Sequence, residues 1–188
     1  MNSIIETGDI GRNFVLGEFS VVRGCVTIGD DVEIREHCII GGLPLAYSGQ
    51  KRLIPTGKII IGDNVFINSH CDVIRALKDR TVIGDNVIIG QRVIIGHEAR
   101  IHNDVKIMNS AVLNGHVTVK ERSLIGSGAI IRERATIGEH TVIGMGSIVT
   151  KDVPDNVIAY GNPCTVHGNN TLPTWAMRRM VKEAKKMV

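Results

Sequence analysis

The chain has 188 residues, 43% of them apolar and 3% aromatic, with 22 Lys and Arg against 19 Asp and Glu. One domain with a buried core is expected, and a net charge of +3 is too small to argue for a nucleic-acid partner or for disorder. Isoleucine and valine number 27 and 21 against 8 leucines. This inverts the usual order, and β-branched side chains suit strands better than helices, so a helical bundle is excluded.

The opening segment, MNSIIETGDIG, lacks the basic-then-apolar pattern of a signal peptide. Cys25, Cys38, Cys71 and Cys164 are scattered without CxxC spacing. Together these predict a reduced, cytoplasmic protein. No stretch approaches the run of about 18 apolar residues that a membrane span needs.

Aliphatic residues then recur every sixth position. The first set is Ile4, Ile10, Leu16, Val22, Ile28, Ile34 and Ile40, and the second is Ile61, Ile67 and Val73. The third runs Ile83, Ile89, Ile95, Ile101, Ile107, Leu113, Val119, Ile125, Ile131, Ile137, Ile143 and Val149. Four positions after each of these stands a small or β-branched residue, such as Val87, Ala99, Ala111, Ser123 or Ala135. The phase slips twice, which places insertions at 41–58 and about 75–80. The first is rich in Gly and Pro and reads as a projecting loop. A period of six is neither helical nor a simple alternation. It suits a short strand and a tight turn repeated as a solenoid, with the aliphatic and the small residue pointing inward. Residues 1–168 form this unit, and 169–188 reads as a C-terminal helix with Pro173 in its first turn. Along that helix Met177, Met180, Val181, Ala184 and Val188 recur at helical spacing. Five Lys and Arg against one Glu make the segment from Thr171 onward basic.

The hexads resemble those of the hexapeptide-repeat family, and the resemblance implies an all-β, left-handed parallel β-helix with three hexads per coil. About seven coils are then expected. Residues three hexads apart stack about 4.8 Å from one another, so His97, Gly115, Glu133 and Lys151 share one edge, with Glu98, His116, Arg134 and Asp152 beside them. A neutral imidazole is a natural general base, and a neighbouring carboxylate can orient it. An N–H of Gly115 one coil on can face a developing oxyanion. Spacing alone leaves a catalytic His97 and a solvated turn histidine both open.

The stretch IIGHEARIHNDVKIMNSAVLNGHVTVKERSLIGSGAII resembles the catalytic stretch of the acyltransferases of this family, both UDP-N-acetylglucosamine O-acyltransferases and sugar acetyltransferases. The resemblance implies His97 as base with Glu98, and Gly115 and His116 at the thioester oxygen. It implies Gly126, Ser127, Gly144 and Lys151 as donor contacts, a homotrimer, and a sugar or nucleotide-sugar acceptor. Arg75, Lys78 and Arg80, on the second insertion, are candidates to meet the phosphates of a nucleotide-linked sugar, and a solvated loop is the alternative. The short C-terminal region and an acid-free loop, GGLPLAYSG, favour acetyl-CoA over acyl carrier protein as donor, with no metal required. The alternatives are an acyl-carrier-protein-dependent UDP-sugar O-acyltransferase and a zinc enzyme like the gamma-class carbonic anhydrases, using His97 and His102. Against zinc, the position expected for a third ligand falls near Ile74. A non-enzymatic solenoid scaffold is the third class.

Overall fold

A computed structural model describes residues 3–6, 8–45, 47–48 and 51–171. Short strands alternate with tight turns and stack into three parallel sheets, the faces of a triangular solenoid. One regular coil shows the plan. Ile94–Ile95 lies in the first face, Arg100–Ile101 in the second and Lys106–Ile107 in the third. Each pairs with its counterpart one coil later: Ile95 with Leu113, Ile101 with Val119, Ile107 with Ile125.

The inward positions are those of the hexad pattern. From Ile83 to Ile143 the recurring aliphatic residues are at most 1% exposed, and the small ones four positions on are buried with them. Burying each aliphatic side chain contributes about 1.5–3 kcal/mol. Ser123, Thr141 and Ser147 occupy small inward positions because each hydroxyl donates to a backbone carbonyl, that of Gly138, Pro154 and Gly144 respectively. A buried hydroxyl without such a partner would be destabilising.

The corners carry the second requirement of the repeat. At most of them one residue sits in the left-handed region, for example Asn86 (φ 58°), Asp104 (φ 60°) and His116 (φ 59°). At the corner between the second and third faces an Asx side chain caps the coil before it. The N–H groups of Arg12, Asp30, Asp63 and Asp85 donate to Oδ1 of Asp30, Asp63, Asp85 and Asn103 in turn.

Both insertions lie where the phase slips. Ile28 pairs with Ile61, well beyond the three hexads of a regular coil, so the first insertion falls between these two strands. Asp72 pairs with Ile94, so the second lengthens its coil by less than one hexad. The first carries a small antiparallel ribbon, Tyr47–Ser48 with Lys51–Arg52. The first face counts eight strands, so there are about eight coils rather than seven. The difference arises at the ends: Ile4–Ile5 already pairs with Val21–Val22, and the last coil closes slightly early, with Val142 against Ile158.

The C-terminal end departs from the repeat. Val157–Gly161 turns back on Cys164–Asn169 as an antiparallel hairpin. Asn169 therefore ends a strand, where a helix was expected to begin; the remainder of the expected helix lies outside the described residues. Asn170 secures the exit, its N–H donating to the Asn156 carbonyl and its amide to that of His140. Among the described residues no helix is long and apolar enough to cross a membrane.

Candidate active site

His97 and Glu98 form the corner between Ile94–Ile95 of the first face and Arg100–Ile101 of the second. Glu98 takes the left-handed conformation (φ 53°) that turns the chain. His97 Nδ1 and Glu98 Oε2 are 2.6 Å apart. An ionised carboxylate only accepts, so Nδ1 carries the proton and Nε2 is left with its lone pair. The His97 side chain is 24% exposed and that of Glu98 only 9%. The imidazole is reachable while the carboxylate that orients it is shielded.

A buried carboxylate needs further donors, and the second insertion supplies them. The Lys78 N–H donates to Glu98 Oε1 at 3.0 Å. The Glu98 N–H donates to Thr81 Oγ1, whose hydroxyl donates to the Ile74 carbonyl at 2.9 Å. Burial alone pushes the Glu98 carboxyl up. The Lys78 N–H, the His97 side chain and the Leu77 N–H outweigh it and hold the group below the ordinary glutamate range. Glu98 is therefore the ionised partner that keeps the imidazole in one tautomer.

The second insertion is itself tied to the end of the first. Thr56 and Lys58 donate their N–H groups to the carbonyls of Leu77 and Asp79, and Arg75 Nε donates to the Gly57 carbonyl at 2.7 Å. Gly57 sits where a Cβ would meet the Ala76 Cβ at 2.6 Å, so only glycine allows this contact.

One coil on, Gly115 lies against the imidazole. A Cβ there would stand 2.6 Å from His97 Cε1 and 2.7 Å from Nε2. Glycine thus leaves room for the ring and for a group approaching Nε2. The Gly115 N–H finds no hydrogen-bond partner among the described residues. By contrast, the Asp85 N–H at the corner between the second and third faces is capped by Asn103. His116 packs edge-on against His97, ring centroids 5.2 Å apart.

The other expected site residues are divided among different edges. Gly126, Ser127 and Gly144 lie at the corner between the third and first faces, a different edge from that of His97. Ser127 is exposed, and a Cβ at Gly144 would meet that of Tyr160 at 2.6 Å. Lys151 is exposed in the last coil, on the edge that carries His97. Arg75 is engaged by Gly57, and Arg80 Nε bonds Asp79 Oδ1 at 3.2 Å, a carboxylate that also binds Arg100. Lys78 serves Glu98 through its backbone. Sequence reasoning missed Thr81 and the backbone of Leu77 and Lys78 as supports. The signal was there: a short insertion one coil before the His-Glu pair.

Ligand atoms of His97, Glu98 and His116 lie within 4.8 Å of one another. His102 is not in this group; its Nδ1 pairs with Glu121 Oε1 at 2.9 Å.

A triangular parallel solenoid bearing a histidine–carboxylate pair on one edge defines the class, and comparisons with known proteins agree. Residues 61–183 match the family described as the GMPPB C-terminal domain, and residues 9–42 the bacterial transferase hexapeptide (six repeats). The first match takes in well over half of the chain, which belongs to this family of hexapeptide-repeat proteins. A galactoside O-acetyltransferase of Lactococcus lactis is 39% identical over 56 residues, 30% of this chain and 27% of that protein. The chain thus matches about a quarter of that relative's length. Among solved structures, a UDP-N-acetylglucosamine acyltransferase of Campylobacter jejuni superposes with a TM-score of 0.75 at 21% identity, covering 98% of this chain and 82% of that one. One from Bacteroides fragilis gives 0.74 at 20% identity, covering 97% and 82%. At such identities the likeness is one of fold.

Proposed function

We propose that the protein transfers an acyl group, from acetyl-CoA in the first instance, to an amino or hydroxyl group of a sugar or nucleotide-sugar. The observation that carries this is the shielded Glu98 bonded to His97 Nδ1, which leaves Nε2 as a proton acceptor beside Gly115. Nε2 removes the acceptor's proton as its oxygen or nitrogen attacks the thioester carbonyl. The carbonyl oxygen gains the charge, and the unpartnered Gly115 N–H supports it. The tetrahedral intermediate collapses by expelling the thiolate, which the imidazolium protonates. No covalent acyl-enzyme is required and no metal enters the scheme.

The reading includes assembly as a homotrimer. The outward side of the first face carries the exposed apolar residues Ile39, Ile94 and Ile130. This face runs between the corner of Ser127 and Gly144 and that of His97. If three copies pack these faces around an axis, the donor-contact corner of one subunit meets the His97 edge of the next. A cytoplasmic location fits the reduced cysteines and a CoA donor.

The test is thiol release from acetyl-CoA with a panel of amino- and hydroxyl-bearing sugars and sugar nucleotides. His97→Ala leaves the fold intact and lowers kcat about 100-fold or more, as loss of a general base does. Near-normal turnover in that variant overturns the reading, and so does stoichiometric metal bound through His97.

A further inference from the structure

Three adjoining cavities of about 600, 440 and 410 Å³ open on the solenoid below the His97 corner, and Lys58 lines all three. The largest is walled by Arg23, Leu43 and Arg75, and the second by Lys78 and Arg80. The groove therefore lies between the first insertion and the second, and its wall at Lys78 donates directly to Glu98.

The charges of this groove are unevenly matched. Arg23 is paired with Glu6, and Arg80 with Asp79. Arg75 spends one guanidinium N–H on a backbone carbonyl. Lys58 is exposed and in no ion pair among the described residues, and the remaining carboxylate of the groove is Asp9, which lines the third cavity. No acid is near it along the chain: from His37 to Gly62 there is not one Asp or Glu, while Lys51, Arg52 and Lys58 all fall in that interval. An unpaired cation between two further cations, in a concave site with one apolar wall, is suited to a phosphate group and whatever it carries.

Position adds the link to chemistry. Lys58 is in register with Arg80, and this strand pairs in turn with Arg100–Ile101 at the His97 corner. Two strand spacings, about 10 Å, separate the level of Lys58 from that of His97. A hexose with its anomeric phosphate can span such a gap.

We infer that this groove is the subsite for the phosphate ester of the acceptor, with Lys58 as its specificity-determining cation; the inference rests on the acyl-transfer reading above. The same chemistry could come from the phosphates of the CoA donor, and the arms of the test separate the two. Binding of inorganic pyrophosphate, UDP and 3′,5′-adenosine bisphosphate to the full chain is measured by calorimetry for the native protein, Lys58→Gln and Lys58→Arg. The expected result is saturable binding of pyrophosphate and UDP, weakened at least about tenfold by Lys58→Gln and largely restored by Lys58→Arg. Binding of 3′,5′-adenosine bisphosphate is unchanged in both. Equal UDP affinity in Lys58→Gln overturns the inference, as does no binding of either probe by the native protein. A loss confined to 3′,5′-adenosine bisphosphate moves the groove to the donor and also overturns it. In turnover with acetyl-CoA, KM for a phosphate-bearing acceptor rises in Lys58→Gln, while that for its unphosphorylated counterpart does not. The binding arm needs no acyl transfer. If Lys58-dependent UDP binding stands while every acceptor is inert, the function fails and the groove survives.

Discussion

The coils from Ile83 to Val149 and the coils around the two insertions obey the same stacking rule with opposite outcomes. In the regular stretch all but the last strands meet their copies three hexads on, and the inward positions are full. That part of the chain supplies the stacked core and presents His97, Glu98 and Gly115 on one edge of it. Around the insertions the register jumps from Ile28 to Ile61 and from Asp72 to Ile94, and the extra backbone folds over the edge of the solenoid. There the Lys78 N–H becomes a donor to the shielded Glu98 carboxylate. A repeat thus builds the scaffold and presents the His97–Glu98 pair, and an interruption of the repeat furnishes the groups that hold Glu98.

This contrast can be broken from either side. The largest effect is expected in the regular stretch. Ile107 is fully buried between stacked copies, and Ile107→Ala removes most of its contacts in coils above and below. A loss of about 2–5 kcal/mol is expected in denaturant unfolding. Loss of activity without loss of stability in that variant would show that scaffold and site are not separable in this way.

Gly115→Ala tests the site instead. The added Cβ meets the imidazole at 2.6 Å, and the backbone there is ordinary, so the ring must move. The fold is retained while kcat falls about 10- to 100-fold, the scale of a misplaced catalytic group. Unchanged kcat would mean that His97 does not act from the position seen here.

The smallest effect sharpens the boundary between the two regions. Lys106 stands on the third face, 4% exposed, and its Nζ has no hydrogen-bond partner among the described residues. Burial pushes its pKa down to about 8 from the usual 10.5, with Asp104 opposing. The folded state therefore holds this proton less tightly than the unfolded chain. Stability rises with pH between about 8 and 10.5 and is lowest below 8. Lys106→Met removes this slope and stabilises the protein by about 1 kcal/mol or more at pH 7, read as a higher Tm. A lower Tm at pH 7 would show that the ammonium has a partner in the assembled protein.

Much of this was legible beforehand, for a physical reason. A solenoid contacts only its neighbours, so a period in the sequence maps onto a period in space. The aliphatic hexads, both insertions and the stack that puts Gly115 over His97 followed from counting. The terminal hairpin at 157–169 did not, because it abandons the repeat and pairs antiparallel. The roles of Lys78 and Arg75 did not either. Side-chain identity suggested two cations near a ligand, but gave no sign that Lys78 also donates through its N–H to Glu98 or that Arg75 holds Gly57.

By itself, then, the sequence determined the solenoid, its core and the edge on which a histidine and a carboxylate meet. Those depend on local, repeated contacts between residues a fixed number apart. Only the tertiary structure decided how Glu98 is held, where the two insertions join, and which cation is left unpaired. These are contacts between segments whose separation follows no period, such as Arg75 with Gly57 and Lys78 with Glu98, and backbone donors leave no mark in the residue names.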